Sequence, residues 1–238
     1  MKVLKLFIFL LFLPHFLLAT NKVHLVAVGI ADYPGTANDL TLPAKDAETM
    51  HWLYKKNSNA VTILLLDSKA TRSAILSAIR TTYKYASTDD IIVFFFSGHG
   101  YKGGFMAYDG RLSYDEVRNA MNESHCKNKM IFADACFSGN MRQGNRPVKD
   151  EHKTSSVMLF LSSRDNETSM ERRDMSNGFF TTGLVAALRG KADINRDRII
   201  TAEELFKYVS YHVKKLSSNK QHPVMWGLFP DEMPVLVW

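Results

Sequence analysis

Several kinds of sequence feature are scarce or missing in this chain. Only two of its 238 residues are cysteine, Cys126 and Cys136, which excludes a small scaffold held together by several disulfides. There is no internal repeat and no low-complexity segment, so solenoid and fibrous architectures are excluded. The basic residues form no run with interleaved aromatic side chains, and we therefore expect a solvated surface and no nucleic-acid partner.

One long apolar run stands at the N-terminus. Leu6 to Leu18 follows Lys2 and Lys5 and precedes the small residue Ala19, a pattern that predicts a signal peptide over residues 1–19. The run is shorter than the ~20 apolar residues of a membrane span and contains Pro14, which argues against a retained anchor. We expect a secreted or periplasmic protein with no membrane association after cleavage. Its formal charge would then fall from the +6 of the whole chain by the two lysines.

The remaining chain, about 219 residues, is long enough for one well-buried domain. Apolar runs that suit buried strands alternate with segments whose apolar residues recur at helical spacing. The predicted strands are 24–30, 61–66, 90–96, 129–134, 157–162 and 234–238, and the predicted helices are 42–52, 72–85, 113–121, 179–188 and 202–216. Residues 101–111, with two glycine-containing turns, suit a hairpin or loop. This alternation predicts an α/β layered fold around a mostly parallel sheet.

Two motifs follow apolar strand-like runs and carry the chemistry. The first is Ser97-Gly98-His99-Gly100, and the second is residues 134–139, Asp-Ala-Cys-Phe-Ser-Gly, with Cys136 at its centre. Because parallel strands end at one edge of a sheet, His99 and Cys136 could share a site, and a thiol beside an imidazole can attack an amide carbonyl. Backbone N–H groups of Gly100 and Cys136 are candidates for the oxyanion hole. Alone, either motif has an ordinary explanation as a turn or a buried thiol, but together they predict a cysteine peptidase.

The two motifs resemble those of clan CD cysteine peptidases, specifically the metacaspase and bacterial caspase-like branch. Residues 26–33, 42–47 and 178–181 also resemble that family's opening strand, first helix and small-subunit helix start. The resemblance implies a three-layer caspase-haemoglobinase fold over residues 20–238. Its large-subunit part would be about 20–140, a loop about 140–155, and its small-subunit part about 156–238. It also implies a monomer.

The resemblance extends to an acidic pocket for the substrate residue before the cut. The family's pocket positions match Asp46, Ser97 and Asp134, which implies cleavage of proteins or peptides after arginine or lysine. Pro43 departs from a cysteine that some metacaspases have there. From the residues alone, Asp46 could equally complement a helix dipole, and Ser97 could bond local backbone.

A polar stretch follows the predicted nucleophile. It contains Arg142, Arg146, Lys149 and Lys153, in a segment where members of the resembled family often cut themselves. Self-cleavage after one of these residues is therefore one interpretation, and ordinary solvation of an exposed loop is the other.

A second candidate site lies near the C-terminus. Asp193, Asn195, Asp197 and Glu204 have the spacing of calcium ligands in an EF-hand loop, but Arg198 stands where glycine usually permits the turn. The alternative is a capping box of Thr201 and Glu204 at the start of the last helix. We expect no required cofactor and leave calcium binding open.

Two other functions stay open at this point. The chain could be a scaffold or inhibitor that keeps the fold without catalysis, although His99, Cys136 and the pocket residues argue against it. It could also be a clan CD peptidase with another specificity, such as cleavage after asparagine or a gingipain-like preference.

Overall fold

The computed structural model describes residues 21–56, 59–101, 103–135, 157–163 and 175–238. The predicted signal peptide and the predicted self-cleavage loop both lie outside these residues. The strands are β1 Val23–Gly29, β2 Ala60–Leu66, β3 Ile91–Gly98, β4 Gly100–Tyr101, β5 Gly104–Ala107, β6 Gly110–Ser113, β7 Asn128–Ala135, β8 Val157–Leu161, β9 Ile199–Thr201, β10 Val224–Trp226 and β11 Pro234–Val237. The helices are α1 Pro43–Lys55, α2 Arg72–Tyr83, α3 Tyr114–Asn122, α4 Phe179–Ala186 and α5 Ala202–Leu216.

Six strands form the central sheet, in the order β10-β8-β7-β3-β1-β2. All neighbours are parallel except β10, which pairs antiparallel with β8 at one edge. The register places Gly29, Ser97 and Asp134 side by side on β1, β3 and β7. The carboxyl ends of these strands therefore meet at one edge of the sheet.

Helices cover both faces of the sheet. One apolar cluster joins the sheet to α1, α4 and α5, and the other joins it to α2 and α3. Every residue of β1 and β3 is buried, as expected for strands covered on both sides. The predicted three-layer α/β fold is confirmed.

Local sequence signals set the helix starts. The Thr71 side chain accepts the Ala74 N–H at the start of α2, and Ser113 with Glu116 forms a capping box at the start of α3. Pro43 opens α1, where its missing N–H costs no helical hydrogen bond.

β5 and β6 form the hairpin expected within residues 101–111, and β4 joins them in a small antiparallel sheet of order β4-β5-β6. The structure differs from the sequence prediction at two places. The predicted helix 179–188 ends as α-helix at Ala186 and continues as a π-helical turn, closed by Gly190 at a φ of 95°. The prediction missed β9 and β10, since each has only three residues. None of the helices among the described residues is long and apolar enough to cross a membrane.

Candidate active site

His99 is the residue directly after β3. Its Nε2 lies 2.8 Å from the backbone oxygen of Asn38, in the segment that follows β1. A carbonyl oxygen only accepts, so this contact places the imidazole proton on Nε2 and leaves Nδ1 as the basic nitrogen. His99 therefore has an orienting partner of the kind that a general base requires.

The three predicted pocket residues come from three elements and meet at the carboxyl edge of the sheet. The Ser97 hydroxyl donates to Asp46 Oδ2 at 2.8 Å, linking β3 to the first turn of α1. Asp134 lies beside Ser97 in the β3–β7 register. All three side chains are buried. Two carboxylates therefore lie beside the Ser97 hydroxyl, and Ser97 is two residues before His99 in the chain.

Residues near the start of α4 hold the two carboxylates in place. Asp46 Oδ1 accepts from Asn177 Nδ2 at 2.9 Å and from the Gly178 N–H at 3.1 Å. Asp134 Oδ2 accepts from the Thr181 N–H at 3.1 Å and from its hydroxyl at 2.8 Å. The residues that donate to Asp46 and to Asp134 are each more than forty positions away in the sequence.

Gly178 fits into the space beside these two carboxylates. A Cβ at this position would lie 2.5 Å from Asp134 Oδ2 and 3.5 Å from Asp46 Oδ2. Only a residue without a side chain lets the backbone approach the acid pair so closely. The sequence prediction used residues 178–181 only as a helix start and missed this role for Gly178 and Thr181.

The burial and proximity of Asp46 and Asp134 change the pKa of Asp46. Burial raises the pKa of Asp46 well above its usual range, and the nearby charge of Asp134 raises it further. The hydrogen bonds from Asn177, Ser97 and Gly178 oppose this rise. A buried carboxylate pair of this kind titrates jointly and favours a cation that neutralises it.

The predicted oxyanion-hole residues are only partly covered by the structure. Gly100 pairs with Phe105, and the neighbouring Met106 N–H donates to the His99 carbonyl at 2.9 Å. Hydrogen-bonded and non-hydrogen-bonded pairs alternate along an antiparallel ladder, so the Gly100 N–H points away from β5. Cys136 comes directly after Ala135, the last residue of β7, and lies outside the described residues, as do Arg142, Arg146, Lys149 and Lys153.

The other cysteine is distant from this edge. Cys126 is a free thiol buried before the start of β7, and its Sγ donates to the Asp90 backbone oxygen at 2.9 Å. The eight residues of β7 separate it from the carboxyl edge, about 26 Å for an extended strand. Burial raises the pKa of this thiol to about 11, which disfavours the thiolate form that reacts.

The calcium-like residues serve as hydrogen-bond acceptors for their own loop. Asp193 Oδ1 accepts the Asp197 N–H at 3.2 Å, and Asn195 Oδ1 accepts the same N–H at 3.0 Å. Glu204 completes the capping box of α5, as the alternative interpretation predicted. Arg198 adopts a positive φ of 68°, at the position where an EF-hand has glycine. Within the described ranges, no three acidic, histidine or cysteine side chains are grouped so as to hold a metal ion.

Comparisons of sequence and structure relate this chain to known proteins. The family model of the caspase domain, peptidase family C14, matches residues 22–231. Metacaspase-1 of Plasmodium falciparum (isolate 3D7) is 26% identical over 244 residues, covering 84% of this chain but 39% of that protein. The chain thus spans well under half of that relative's length. The crystal structure of protein GSU0716 from Geobacter sulfurreducens superposes with a TM-score of 0.67 at 18% identity, covering 91% of this chain and 97% of that one, a likeness of fold.

Proposed function

The chain belongs to the caspase-domain family of cysteine peptidases, and on that premise we propose that it is an exported endopeptidase that cuts after arginine or lysine. His99 and Cys136 would form its catalytic dyad. The observation that carries the specificity is the hydrogen bond between Ser97 and Asp46, with Asp134 beside Ser97 and both carboxylates buried. A guanidinium or ammonium group would neutralise this acid pair and donate hydrogen bonds to its carboxylate oxygens.

The proposed reaction uses the thiol of Cys136 as nucleophile. The His99 Nδ1 takes the thiol proton, and the thiolate attacks the carbonyl carbon of the basic residue, whose bond to the next nitrogen is the one that breaks. The oxyanion of the tetrahedral intermediate is stabilised by the N–H groups of Gly100 and Cys136. His99 then donates its proton to the departing amine, which leaves an acyl-enzyme. Water hydrolyses the thioester with His99 as base and restores the thiol.

The geometry around His99 supports this assignment. The contact with the Asn38 carbonyl holds the protonated Nε2, so Nδ1 is the nitrogen that remains for proton transfer. His99 also lies at the edge of the sheet that bears the acid pair, since Ser97 is two residues before it on the same strand.

The test is a panel of fluorogenic peptides that end in arginine, lysine, aspartate or asparagine. Each is assayed with wild type and Cys136→Ala, in calcium and in chelator. We expect turnover of the arginine and lysine peptides that Cys136→Ala abolishes. Turnover of the aspartate or asparagine peptides alone would refute the basic specificity, and no Cys136-dependent turnover would favour a scaffold.

Export and self-cleavage need separate measurements. Mass spectrometry of protein secreted from an expressing cell would locate the N-terminus, which we expect after Ala19. Gel analysis of wild type beside Cys136→Ala tests cleavage after Arg142, Arg146, Lys149 or Lys153. Identical single bands for both proteins would exclude self-cleavage.

A further inference from the structure

The hydroxyl of Tyr33 bridges the backbone of His99 and the backbone of Met106. The His99 N–H donates to Tyr33 Oη at 2.9 Å, and Tyr33 Oη donates to the Met106 carbonyl at 3.1 Å. The Met106 N–H donates directly to the His99 carbonyl at 2.9 Å. A closed antiparallel pair would exchange two direct hydrogen bonds. Here the second bond, from the His99 N–H to the Met106 carbonyl, is replaced by the Tyr33 hydroxyl, which contacts both groups.

The surroundings are shaped to admit this hydroxyl. Tyr33 is only 6% exposed, and its ring centroid lies 4.9 Å from that of His99 at an interplanar angle of 46°. A Cβ on Gly98 would lie 2.7 Å from Tyr33 Oη, and Gly98 has a φ of 154°, which disfavours a side chain. Burial raises the pKa of the Tyr33 hydroxyl, so it remains an O–H donor at neutral pH.

The segment that carries Tyr33 also supplies the other partner of the histidine. The Asn38 carbonyl accepts from His99 Nε2 at 2.8 Å. The Tyr33 N–H donates to Asp39 Oδ1 at 3.2 Å, and the Leu40 N–H donates to the Ala31 carbonyl at 2.8 Å. The loop of residues 31–40, closed by the bond between Leu40 and Ala31, therefore contacts both the main chain and the imidazole of His99.

We propose that Tyr33 is a positioning residue, whose hydroxyl fixes the His99 backbone so that Nε2 stays on the Asn38 carbonyl and Nδ1 stays available for proton transfer. This inference rests on the proposed peptidase function. Without the hydroxyl, the His99 N–H and the Met106 carbonyl lose their shared partner and can close toward each other. The imidazole would then shift relative to Cys136, and a displacement near 1 Å can cost about 100-fold in rate.

The alternative is that Tyr33 is only a core side chain. Its ring does belong to the apolar cluster under α2 and α3. Tyr33→Phe separates the two roles, because it keeps the ring and removes only the hydroxyl. Tyr83→Phe is the matched control, since Tyr83 is also buried and its hydroxyl donates to the Val93 carbonyl at 2.5 Å, inside the sheet.

The experiment compares kcat and KM of wild type, Tyr33→Phe and Tyr83→Phe on an arginine peptide. We expect Tyr33→Phe to lower kcat by about 10- to 100-fold with KM changed less than about two-fold. Tyr83→Phe should lower Tm about as much as Tyr33→Phe does, but should keep kcat within about two-fold of wild type. Equal kcat for the two variants would overturn the proposal.

A second readout does not depend on turnover. The rate of Cys136 alkylation by iodoacetamide, followed by peptide mass spectrometry across pH 4–9, reports the thiolate that His99 supports. Tyr33→Phe should move the midpoint of this profile upward, whereas Tyr83→Phe should leave it in place. An unchanged pH dependence of Cys136 alkylation in both variants would contradict the positioning role of Tyr33. Wild type without peptide turnover but with a Tyr33-dependent profile would reject only the proposed substrate class.

Discussion

Ser97 and Asp134 are direct neighbours across the parallel pair of β3 and β7. Each is two residues before a residue of the proposed dyad, so one register holds two of the three proposed pocket residues at the strand ends that lead to His99 and Cys136. Asp46 joins them through the Ser97 hydroxyl. In the proposed function, specificity and catalysis would therefore be coupled by the sheet, because a shift in this register would move all of these groups together.

Removing one carboxylate of the pocket should reduce cleavage after basic residues. Asp46→Asn keeps the shape of the side chain but removes its charge. A charged hydrogen bond contributes about 1.5–3 kcal/mol, so kcat/KM for arginine peptides should fall about 10- to 150-fold. Kinetics on arginine peptides measures this loss.

The matched control for that change is Asp89→Asn. Asp89 is exposed and faces Lys127 at 3.9 Å, a pair that should contribute little. We expect unchanged kinetics for this variant. Similar losses in both variants would show that Asp46 does not contact the substrate.

The buried acid pair should make stability decrease with rising pH. An aspartate titrates near 3.9 in the unfolded chain, and burial with the Asp134 charge raises the pKa of Asp46 in the folded protein. Between these two values the folded state binds more protons than the unfolded state. The free energy of unfolding therefore falls as pH rises through this window, by at most about 1.4 kcal/mol per pH unit.

Urea unfolding of wild type and Asp46→Asn at several pH values isolates this contribution from other titrating groups. The stability of wild type relative to the variant should decline from about pH 4 upward. A difference that stays constant with pH would mean that Asp46 titrates normally. Because Asp134 is coupled to Asp46, the midpoint belongs to the pair.

The sequence was sufficient to predict which residues stand at the ends of the central strands. Ser97 and Asp134 sit at equal distances before His99 and Cys136, and parallel strands of similar length bring such positions together. The capping residues Thr71 and Ser113 were also predictable, because they act on backbone groups three residues away.

The remaining features depend on tertiary structure. The partner of His99 Nε2 is the main-chain carbonyl of Asn38, and a carbonyl has no residue type to recognise. Tyr33 and Thr181 look like ordinary core and helix residues until the fold brings their hydroxyls to His99 and Asp134. β10 has three residues, too few for a strand pattern.

A methyl group at Gly178 should displace the Asp134 carboxylate. Gly178→Ala places a Cβ 2.5 Å from Oδ2, closer than real side chains approach, so the acid must move. We expect kcat/KM for arginine peptides to fall about 10- to 100-fold, since a small displacement of a binding group is costly. Kinetics and Tm should be measured together.

Gly183→Ala is the control in the same helix. Its Cβ would lie 3.4 Å from the Val213 side chain, an ordinary contact, and alanine favours a helix interior by about 1 kcal/mol over glycine. This variant should retain full activity and an equal or higher Tm. If Gly178→Ala behaves in the same way, the close fit of Gly178 to Asp134 has no role in specificity.

The two cysteines should differ sharply in reactivity. Cys126 is 2% exposed, and burial raises the pKa of its thiol to about 11, so about one thiol in a thousand is ionised at pH 8. Native protein treated with iodoacetamide at pH 8 should therefore carry label on Cys136 and none on Cys126. Cys136→Ala should take no label until denaturant exposes Cys126, because burial keeps this thiol protonated and out of reach of the reagent. Peptide mass spectrometry assigns each label, and rapid native labelling of Cys126 would show that this thiol is accessible and contradict the buried environment at the start of β7.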